Sequence, residues 1–130
     1  MRHIFVCEPF IGKEELHNVT KCLRTTLISS RGKYIPAFET AFAKFCGVKY
    51  AISATSGTSA LHLALVSLGI GNGDEVIIPT FTMAATAFAV IYTGAEPVLV
   101  DAEPDTFNLD PSKIAEKITA RTKAILVVHL

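Results

Sequence analysis

An abrupt change from a strand-like run to a helix-like run constrains the fold of this chain more than any other feature. The apolar residues 50–54 lead into the hydroxyl-rich turn 55–59, which opens the apolar run 61–68. A helix that starts in this way carries unpaired N–H groups that attract anions, and Thr58 and Ser59 add hydroxyl donors. The turn predicts either a phosphate cradle or an ordinary Ser/Thr helix cap, and taken alone it favours the cap.

Alternating polar and apolar periods along the chain predict βαβ units. Helical spacing predicts one helix over about 13–27, a loop at 28–33 and a second helix that carries a Phe-rich stripe and stops at Gly47. The further predicted elements are strand 49–54, helix 58–69, a turn at 71–74, strand 75–78, helix 82–93, strand 97–101, helix 111–119 and strand 123–128. This alternation predicts a mostly parallel sheet with helices on both faces and right-handed crossovers.

Several of these segments are apolar enough to predict burial. Helices 58–69 and 82–93 are apolar on almost all sides, so we expect both to be buried on more than one side. The Phe-rich stripe of the second helix is expected to be core. Asp110 followed by Pro111 predicts a capped start for helix 111–119. No repeat or linker divides the chain, and strand 123–128 runs almost to Leu130, so we interpret the sequence as a truncated piece of a longer protein.

Composition and charge exclude several classes of protein. Twelve basic and twelve acidic residues balance, which argues against a nucleic-acid or membrane-surface partner. No apolar run approaches the roughly 20 residues of a membrane span, and the patch at residues 4–7 is too short for a signal peptide. Cys7, Cys22 and Cys46 match no zinc-site spacing and predict free thiols in the cytoplasm.

The hydroxyl-rich turn is one of a series of ordered motifs. In chain order they are Phe38-Glu39, Gly47-Val48-Lys49-Tyr50, Ser56-Gly57-Thr58-Ser59-Ala60-Leu61, Gly73-Asp74-Glu75-Val76-Ile77-Ile78-Pro79, Val100-Asp101-Ala102-Glu103-Pro104-Asp105, Arg121-Thr122-Lys123-Ala124-Ile125 and Val128-His129-Leu130. From about Glu8 to Leu130 the series closely resembles the amino-terminal part of the DegT/DnrJ/EryC1/StrS family of sugar aminotransferases. The resemblance favours the phosphate cradle over the cap.

The resemblance implies a fold, a cofactor and a reaction. The fold is part of the large domain of the aspartate-aminotransferase-like (fold type I) transferases, and the cofactor is pyridoxal 5′-phosphate (PLP). The implied reaction moves an amino group, with glutamate as the expected donor, to a nucleotide-linked 4-keto-6-deoxyhexose, as in perosamine and O-antigen polysaccharide biosynthesis. The family also implies a homodimer. Its Schiff-base lysine and pyridinium aspartate are expected beyond Leu130, so no catalytic residue is assigned within the chain, and we expect these residues alone to be inactive.

Carried over onto matching positions, the family's cofactor contacts fall on a few residues. Gly57, Thr58 and Ser59 correspond to the phosphate cradle, where glycine allows close backbone approach and the hydroxyl and N–H groups bind the dianion. The position of Met83 usually carries an aromatic residue that stacks on the pyridine ring. A thioether can also pack on an aromatic face. Whether Met83 or Phe81 covers the ring stays open.

Other polar residues allow a functional or a structural interpretation. Arg31 and Lys33 lie where the family places a loop near the substrate opening, and they could bind the diphosphate of a nucleotide-linked sugar or simply be solvated. The lone His129 is interpreted as structural. We interpret three acidic residues after strand 97–101 as a structural or solvated turn: Asp101, Glu103 and Asp105.

Two alternatives to an aminotransferase remain open at this stage. The first is a non-catalytic homologue that serves as a sensor or regulator and keeps the fold without the lysine. The second is a free-standing α/β module that binds a small phosphorylated ligand. The sequence that follows Leu130 would distinguish the first, and reversible PLP binding by these residues alone would support the second.

Overall fold

The computed structural model describes Ile4 and residues 7–130, which form two compact units, one ending at Ser53 and the other beginning at Ala54. The opening apolar patch at residues 4–7 lies largely outside the described residues. No change in composition marks the boundary at Ser53.

The first unit contains two helices. α1 spans Lys13–Arg24 and begins after Gly12, whose backbone N–H donates a hydrogen bond to Glu15 Oε2 at 2.7 Å. α1 ends three residues before the predicted boundary because the Thr25 hydroxyl donates to the Lys21 carbonyl and Thr26 adopts a left-handed φ of 56°. α2 spans Tyr34–Cys46. It ends as predicted at Gly47, whose φ of 67° is the conformation that favours glycine.

The Phe-rich stripe of α2 is not core in this structure. Phe38, Phe42 and Phe45 are 55%, 48% and 87% exposed, and they stack along the helix surface with ring centroids 5.5 and 6.5 Å apart. Within α2 only Ala43 is buried. The prediction was wrong for these residues because no described element of this unit packs over the stripe.

The predicted strand 49–54 is also absent from the described residues. No hydrogen-bonded ladder forms along this segment. Ser53 is bound instead by a side chain, since Glu39 Oε1 accepts hydrogen bonds of 2.9 Å from both its N–H and its hydroxyl group. These bonds hold the pKa of Glu39 below its ordinary value, the backbone bond contributing most.

The second unit is the α/β domain that the alternation predicted. In chain order it contains α3 (Gly57–Ser67), β1 (Glu75–Pro79), α4 (Ala84–Tyr92), β2 (Glu96–Val100) and β3 (Thr122–Ile125). The strand order is β2-β1-β3, and β1 pairs in parallel with both neighbours. β1 is buried along its whole length, as a central parallel strand should be.

Side chains that alternate along β1 pack on opposite faces of the sheet. Val76 and Ile78 join Leu65 of α3 and Val90 of α4 in one apolar cluster, so both helices cover the same face. On the other face Ile77 packs with buried side chains of the later segments, Val100 and Leu109. This period of two is the ordinary geometry of a strand.

Helix 111–119 was predicted wrongly. Two short 3₁₀ turns occupy the segment, Pro111–Lys113 and Ala115–Lys117. Asp110 does cap the first turn, because its Oδ1 accepts from the Ser112 N–H at 2.9 Å. The chain then becomes extended at Ile118 and delivers the Thr119 hydroxyl to the buried Glu75 carboxylate at 2.5 Å. A continuous helix would not make this contact.

Glu75 joins the amino-terminal ends of the strands. Its carboxylate is 3% exposed and forms an ion pair with Arg121, and the Thr119 and Thr122 hydroxyls donate to it at 2.5 and 3.3 Å. Arg121 also reaches Glu96 of β2 at 3.2 Å. A buried carboxylate needs such partners because it has lost its water.

The two central helices are less buried than their composition predicted. α3 buries only Leu65, and α4 buries Thr86, Ala89 and Val90. Apolar side chains on the faces away from the sheet remain about half exposed: Leu63, Val66, Phe88 and Ile91. The prediction of burial on more than one side was wrong for this structure. α3 and α4 pack against each other and on the apolar cluster of the sheet, and within the second unit nothing else covers their remaining sides.

Candidate functional site

The start of α3 and the loop before α4 lie at the same edge of the sheet. α3 leads into β1 through a short turn, and α4 leaves β1 after the loop 80–83, so both helices run opposite to the strand. Each helix therefore begins near the carboxyl end of β1. In open parallel sheets this edge is where ligands bind.

Ser56 caps α3. The sequence predicted a possible Ser/Thr cap in this turn without naming the residue. Its backbone is extended, and its hydroxyl oxygen accepts a hydrogen bond of 3.2 Å from the Ser59 N–H. The Ser59 hydroxyl lies 3.1 Å from Ser56 Oγ and 3.3 Å from Thr55 Oγ1. A Ser directly before the helix and three residues before Ser59 was the sequence signal for this cap.

Two N–H groups at the start of α3 have no protein partner. Within the described residues, no oxygen accepts a hydrogen bond from the N–H of Gly57 or Thr58, or from the half-buried Thr58 hydroxyl. These donors lie at the positive end of the helix dipole. The structure thus brings together the three residues that the sequence predicted as a cradle, although the Ser59 N–H is already used by the cap.

Gly57 provides a test of whether a phosphate fits. A Cβ added at Gly57 would meet no atom within 4 Å, and the backbone does not adopt a positive φ there. Neither packing nor conformation within the described chain therefore requires glycine. The side of Gly57 where a Cβ would lie is open, and the unpaired N–H groups and the Thr58 hydroxyl are a donor set that suits an anion such as phosphate.

The loop 80–83 is fixed to the sheet at its first residue, where the Thr80 N–H donates to the Val100 carbonyl at 2.9 Å. The Phe81 ring lies 5.9 Å from the Phe107 ring, at an angle of 58° between their planes. Met83 precedes α4 and is 78% exposed. Phe81 therefore has an aromatic neighbour within the chain, although both rings are more than half exposed, and Met83 is more exposed still.

The acidic turn after β2 makes structural contacts, which is one of the two interpretations that the sequence allowed. Asp101 Oδ2 lies 3.4 Å from Lys113 Nζ, and the Glu103 carboxylate accepts hydrogen bonds from the N–H groups of Asp105 and Thr106. Hydrogen bonds, led by that from the Thr106 hydroxyl, hold the pKa of Glu103 below its ordinary value. This turn also contains Phe107, which sequence reasoning missed and for which no motif gave a signal.

Arg31 and Lys33 belong to the first unit, in the loop between α1 and α2, and both are exposed. Lys33 Nζ lies 5.4 Å from the centroid of the Tyr34 ring. Within residues 7–130 neither side chain forms an ion pair. The structure shows two solvated cations and no built subsite around them.

The structure also describes the cysteines, the groups that could bind a metal ion and the lengths of the apolar helices. Cys7, Cys22 and Cys46 are free thiols, as predicted. Across the described part of the chain, no group of three or more His, Cys, Asp or Glu side chains could hold a metal ion. No helix of that part is both long and apolar enough to cross a bilayer.

Solved structures share this arrangement. The X-ray structure of the aminotransferase from Psychrobacter cryohalolentis is similar with a TM-score of 0.89 and 38% identity, over 98% of this chain and 32% of that chain. The structure of NtdA from Bacillus subtilis with bound cofactor PMP is similar with a TM-score of 0.83 and 39% identity, over 92% and 28%. The fold and the site thus define part of an α/β domain of the aminotransferase class.

Sequence comparison gives the family. The model of the DegT/DnrJ/EryC1/StrS aminotransferase family matches residues 9–130, and the chain belongs to this family. GDP-perosamine synthase of Caulobacter vibrioides is 56% identical over 127 residues, which cover 98% of this chain and 34% of that protein. The chain spans about a third of the length of the curated relatives that it matches.

Proposed function

We propose that this chain forms the phosphate-binding wall of a PLP-dependent aminotransferase that acts on a nucleotide-linked keto-sugar. The observation that carries the proposal is the start of α3, where the N–H groups of Gly57 and Thr58 and the Thr58 hydroxyl have no protein partner among the described residues. Membership of the family supplies the reaction class. The GDP-perosamine synthases, at 56% and 48% identity, support a 4-keto-6-deoxyhexose nucleotide as the acceptor.

Gly57, Thr58 and Ser59 would hold the cofactor phosphate. The N–H groups of the first two and the Thr58 hydroxyl are the unpaired donors available to a dianion. The Ser59 hydroxyl, which lies 3.1 Å from Ser56 Oγ, would add a donor by turning towards the phosphate. Bound PLP would supply an electron sink for the carbon from which the proton is removed. The contribution of these residues is to bind the phosphate and so to orient the cofactor at the carboxyl edge of the sheet. NtdA of Bacillus subtilis, solved with PMP, supports this choice of cofactor.

The remaining contacts are proposed from the resemblance and from exposure. Met83, 78% exposed in the loop before α4, would pack on the cofactor ring. Arg31 and Lys33 would attract the diphosphate of the sugar nucleotide. The amino donor would be glutamate. The lysine that carries the cofactor and the aspartate that pairs with its ring nitrogen are expected in sequence beyond Leu130, since no lysine of this chain occupies the family's position.

We further propose a cytoplasmic homodimer in which this chain is part of a larger domain. The three free thiols support a reducing compartment. The half-exposed apolar side chains of α3 and α4 support burial against further protein, because apolar surface of this extent is unfavourable in water.

The direct test is to purify the native protein and supply L-glutamate with a GDP-linked 4-keto-6-deoxyhexose. We expect 2-oxoglutarate and the amino sugar nucleotide to form in equal amounts, and the absorbance of PLP to change when glutamate is added alone. Borohydride reduction followed by peptide mapping should place the cofactor on one lysine. A protein that binds PLP but transfers no amino group to any keto-sugar nucleotide would contradict the assigned reaction.

A further inference from the structure

Phe107 has a backbone conformation that aromatic residues rarely adopt. Its φ is 59°, in the left-handed region, where the Cβ of an L-residue approaches the following carbonyl oxygen. A strained residue of this kind persists only where the surrounding structure holds it in place, and such residues cluster at functional sites. In this structure hydrogen bonds of the surrounding turn hold the backbone of Phe107, and its ring contacts another aromatic ring.

The turn around Phe107 is held by hydrogen bonds that do not involve its ring. The Glu103 N–H donates to the Asn108 carbonyl at 2.9 Å, and the Phe107 N–H donates to the Glu103 carbonyl at 3.1 Å. The Glu103 carboxylate accepts from the Thr106 N–H at 2.9 Å, and Asn108 Nδ2 donates to the Thr106 hydroxyl at 2.7 Å. The backbone of the turn is therefore expected to survive removal of the aromatic ring.

The ring of Phe107 reaches the loop that precedes α4. Its centroid lies 5.9 Å from that of Phe81, within the range of favourable aromatic pairs. The two residues follow neighbouring parallel strands, β1 and β2, whose ends are joined by the hydrogen bond from the Thr80 N–H to the Val100 carbonyl. The ring pair is a second link between the segments that follow β1 and β2. On the β1 side it is made by Phe81, the residue directly after Thr80.

We propose that Phe107 is a positioning residue for the cofactor site. Its left-handed backbone presents the ring to Phe81, and this contact holds the loop 80–83 so that Met83 is the side chain left to meet the cofactor ring. The role at the cofactor rests on the proposed function. The positioning of the loop does not, because it can be measured in the protein without cofactor.

The test compares the native protein with single variants at Phe107, Thr26 and Phe81. Phe107→Asn removes the ring and keeps a residue that tolerates a left-handed φ, and Phe107→Tyr keeps the ring. Thr26→Asn is the matched control, since Thr26 is the other non-glycine residue with a positive φ among those described and belongs to the first unit. The first readout is amide hydrogen exchange of residues 80–86 without cofactor, and the second is the dissociation constant of PLP.

We expect Phe107→Asn to speed exchange of residues 80–86 by about two- to tenfold, the factor that corresponds to loss of one aromatic pair. PLP binding should weaken by a similar factor, whereas Phe107→Tyr and Thr26→Asn should match the wild type. Phe81→Leu should reproduce the effect, and the Phe81→Leu/Phe107→Asn double variant should be no worse than either single variant.

Unchanged exchange of residues 80–86 in Phe107→Asn, or additive effects in the double variant, would overturn the positioning role. A failure of the proposed function would look different. If the proposed function is wrong, both Phe107→Asn and Thr58→Val would leave PLP binding unchanged. The hydrogen exchange of residues 80–86 would still be faster in Phe107→Asn.

Discussion

The Ser56 hydroxyl oxygen accepts a hydrogen bond from the Ser59 N–H at 3.2 Å, across the first turn of α3. This bond satisfies one of the N–H groups at the helix start. The N–H groups of Gly57 and Thr58, which precede Ser59, keep no protein partner within the described residues. The helix cap and the proposed phosphate cradle, which were alternatives in the sequence, would therefore use different N–H groups of the same turn.

Ser56→Ala should lower the free energy of unfolding by about 1 kcal/mol, the usual effect of losing a serine cap. The Ser59 N–H would lose its acceptor, whereas Gly57 and Thr58 would keep their positions as donors. Denaturant unfolding of the native protein measures the change. The control is Ser67→Ala, whose exposed hydroxyl donates to the Ala64 carbonyl at the other end of α3 and whose loss should cost under about 0.5 kcal/mol. Equal stability of the two variants would show that Ser56 is not the cap.

Thr58→Val should weaken PLP binding by about tenfold or more, because it deletes one hydrogen-bond donor to a charged phosphate and keeps the shape of the side chain. Thr58→Ser keeps the hydroxyl and should bind PLP within about threefold of the wild type, a difference under 1 kcal/mol. Equilibrium titration of the protein stripped of cofactor gives both constants. An unchanged dissociation constant in Thr58→Val would remove Thr58 from the cradle.

Gly57→Ala separates binding from folding. The new methyl group would meet no atom within 4 Å, so the free energy of unfolding should stay the same or rise by up to about 1 kcal/mol through better helix propensity. The same methyl group would lie next to the Gly57 N–H that is proposed to bind the phosphate, so PLP binding should weaken. Calorimetric unfolding without cofactor and a PLP titration measure the two effects. A destabilised protein, or one that binds PLP normally, would contradict the assignment.

Arg121→Met should destabilise the protein by about 3 kcal/mol, because it leaves the buried Glu75 carboxylate without its cationic partner. The Thr119 and Thr122 hydroxyls would be its remaining donors among the described residues. Glu96→Gln removes only the exposed carboxylate that contacts Arg121 and should cost under about 1 kcal/mol. Denaturant unfolding compares the two variants. Similar losses in both would show that Glu75 does not depend on Arg121.

Acidification should weaken the contact between Glu39 and Ser53. Hydrogen bonds from Ser53 lower the pKa of Glu39 below its ordinary 4.5, so the carboxylate stabilises the fold above pH 4.5 and loses this effect as the pH falls through the lowered value. Glu39→Gln cannot titrate. The stability difference between wild type and Glu39→Gln should therefore be constant near neutral pH and should narrow in acid. A difference independent of pH down to about 3 would rule out a lowered pKa.

Local sequence patterns predicted the second unit well. β1 was expected at 75–78 and lies at Glu75–Pro79, and α3 was expected at 58–69 and lies at Gly57–Ser67. Both depend on short-range signals, namely an apolar run between turns and a hydroxyl residue before a helix. The stop of α2 at Gly47 was predicted for the same reason.

The wrong predictions concern segments whose structure depends on contacts with residues far away in the chain. Residues 49–54 have strand-like composition, yet a strand needs a neighbour, and here the Glu39 side chain binds Ser53 instead. Residues 111–119 have a good helix start, yet the Glu75 carboxylate draws Thr119 into an extended segment. Apolar composition on α2, α3 and α4 showed which side chains favour burial, but burial also requires another element to pack against them.

The sequence by itself determined the parallel α/β architecture, the membership of the family and the position of the turn at Gly57, Thr58 and Ser59, because each follows from residues that are close in the chain. Only the tertiary structure decided which N–H group of that turn is bound by Ser56 and which have no protein partner among the described residues. It also decided that the Phe81 ring contacts the Phe107 ring, with both more than half exposed, and that Met83 is the more exposed side chain of the loop. Hydrogen bonds and ring contacts depend on distances of a few ångströms between segments, and no local periodicity encodes those distances.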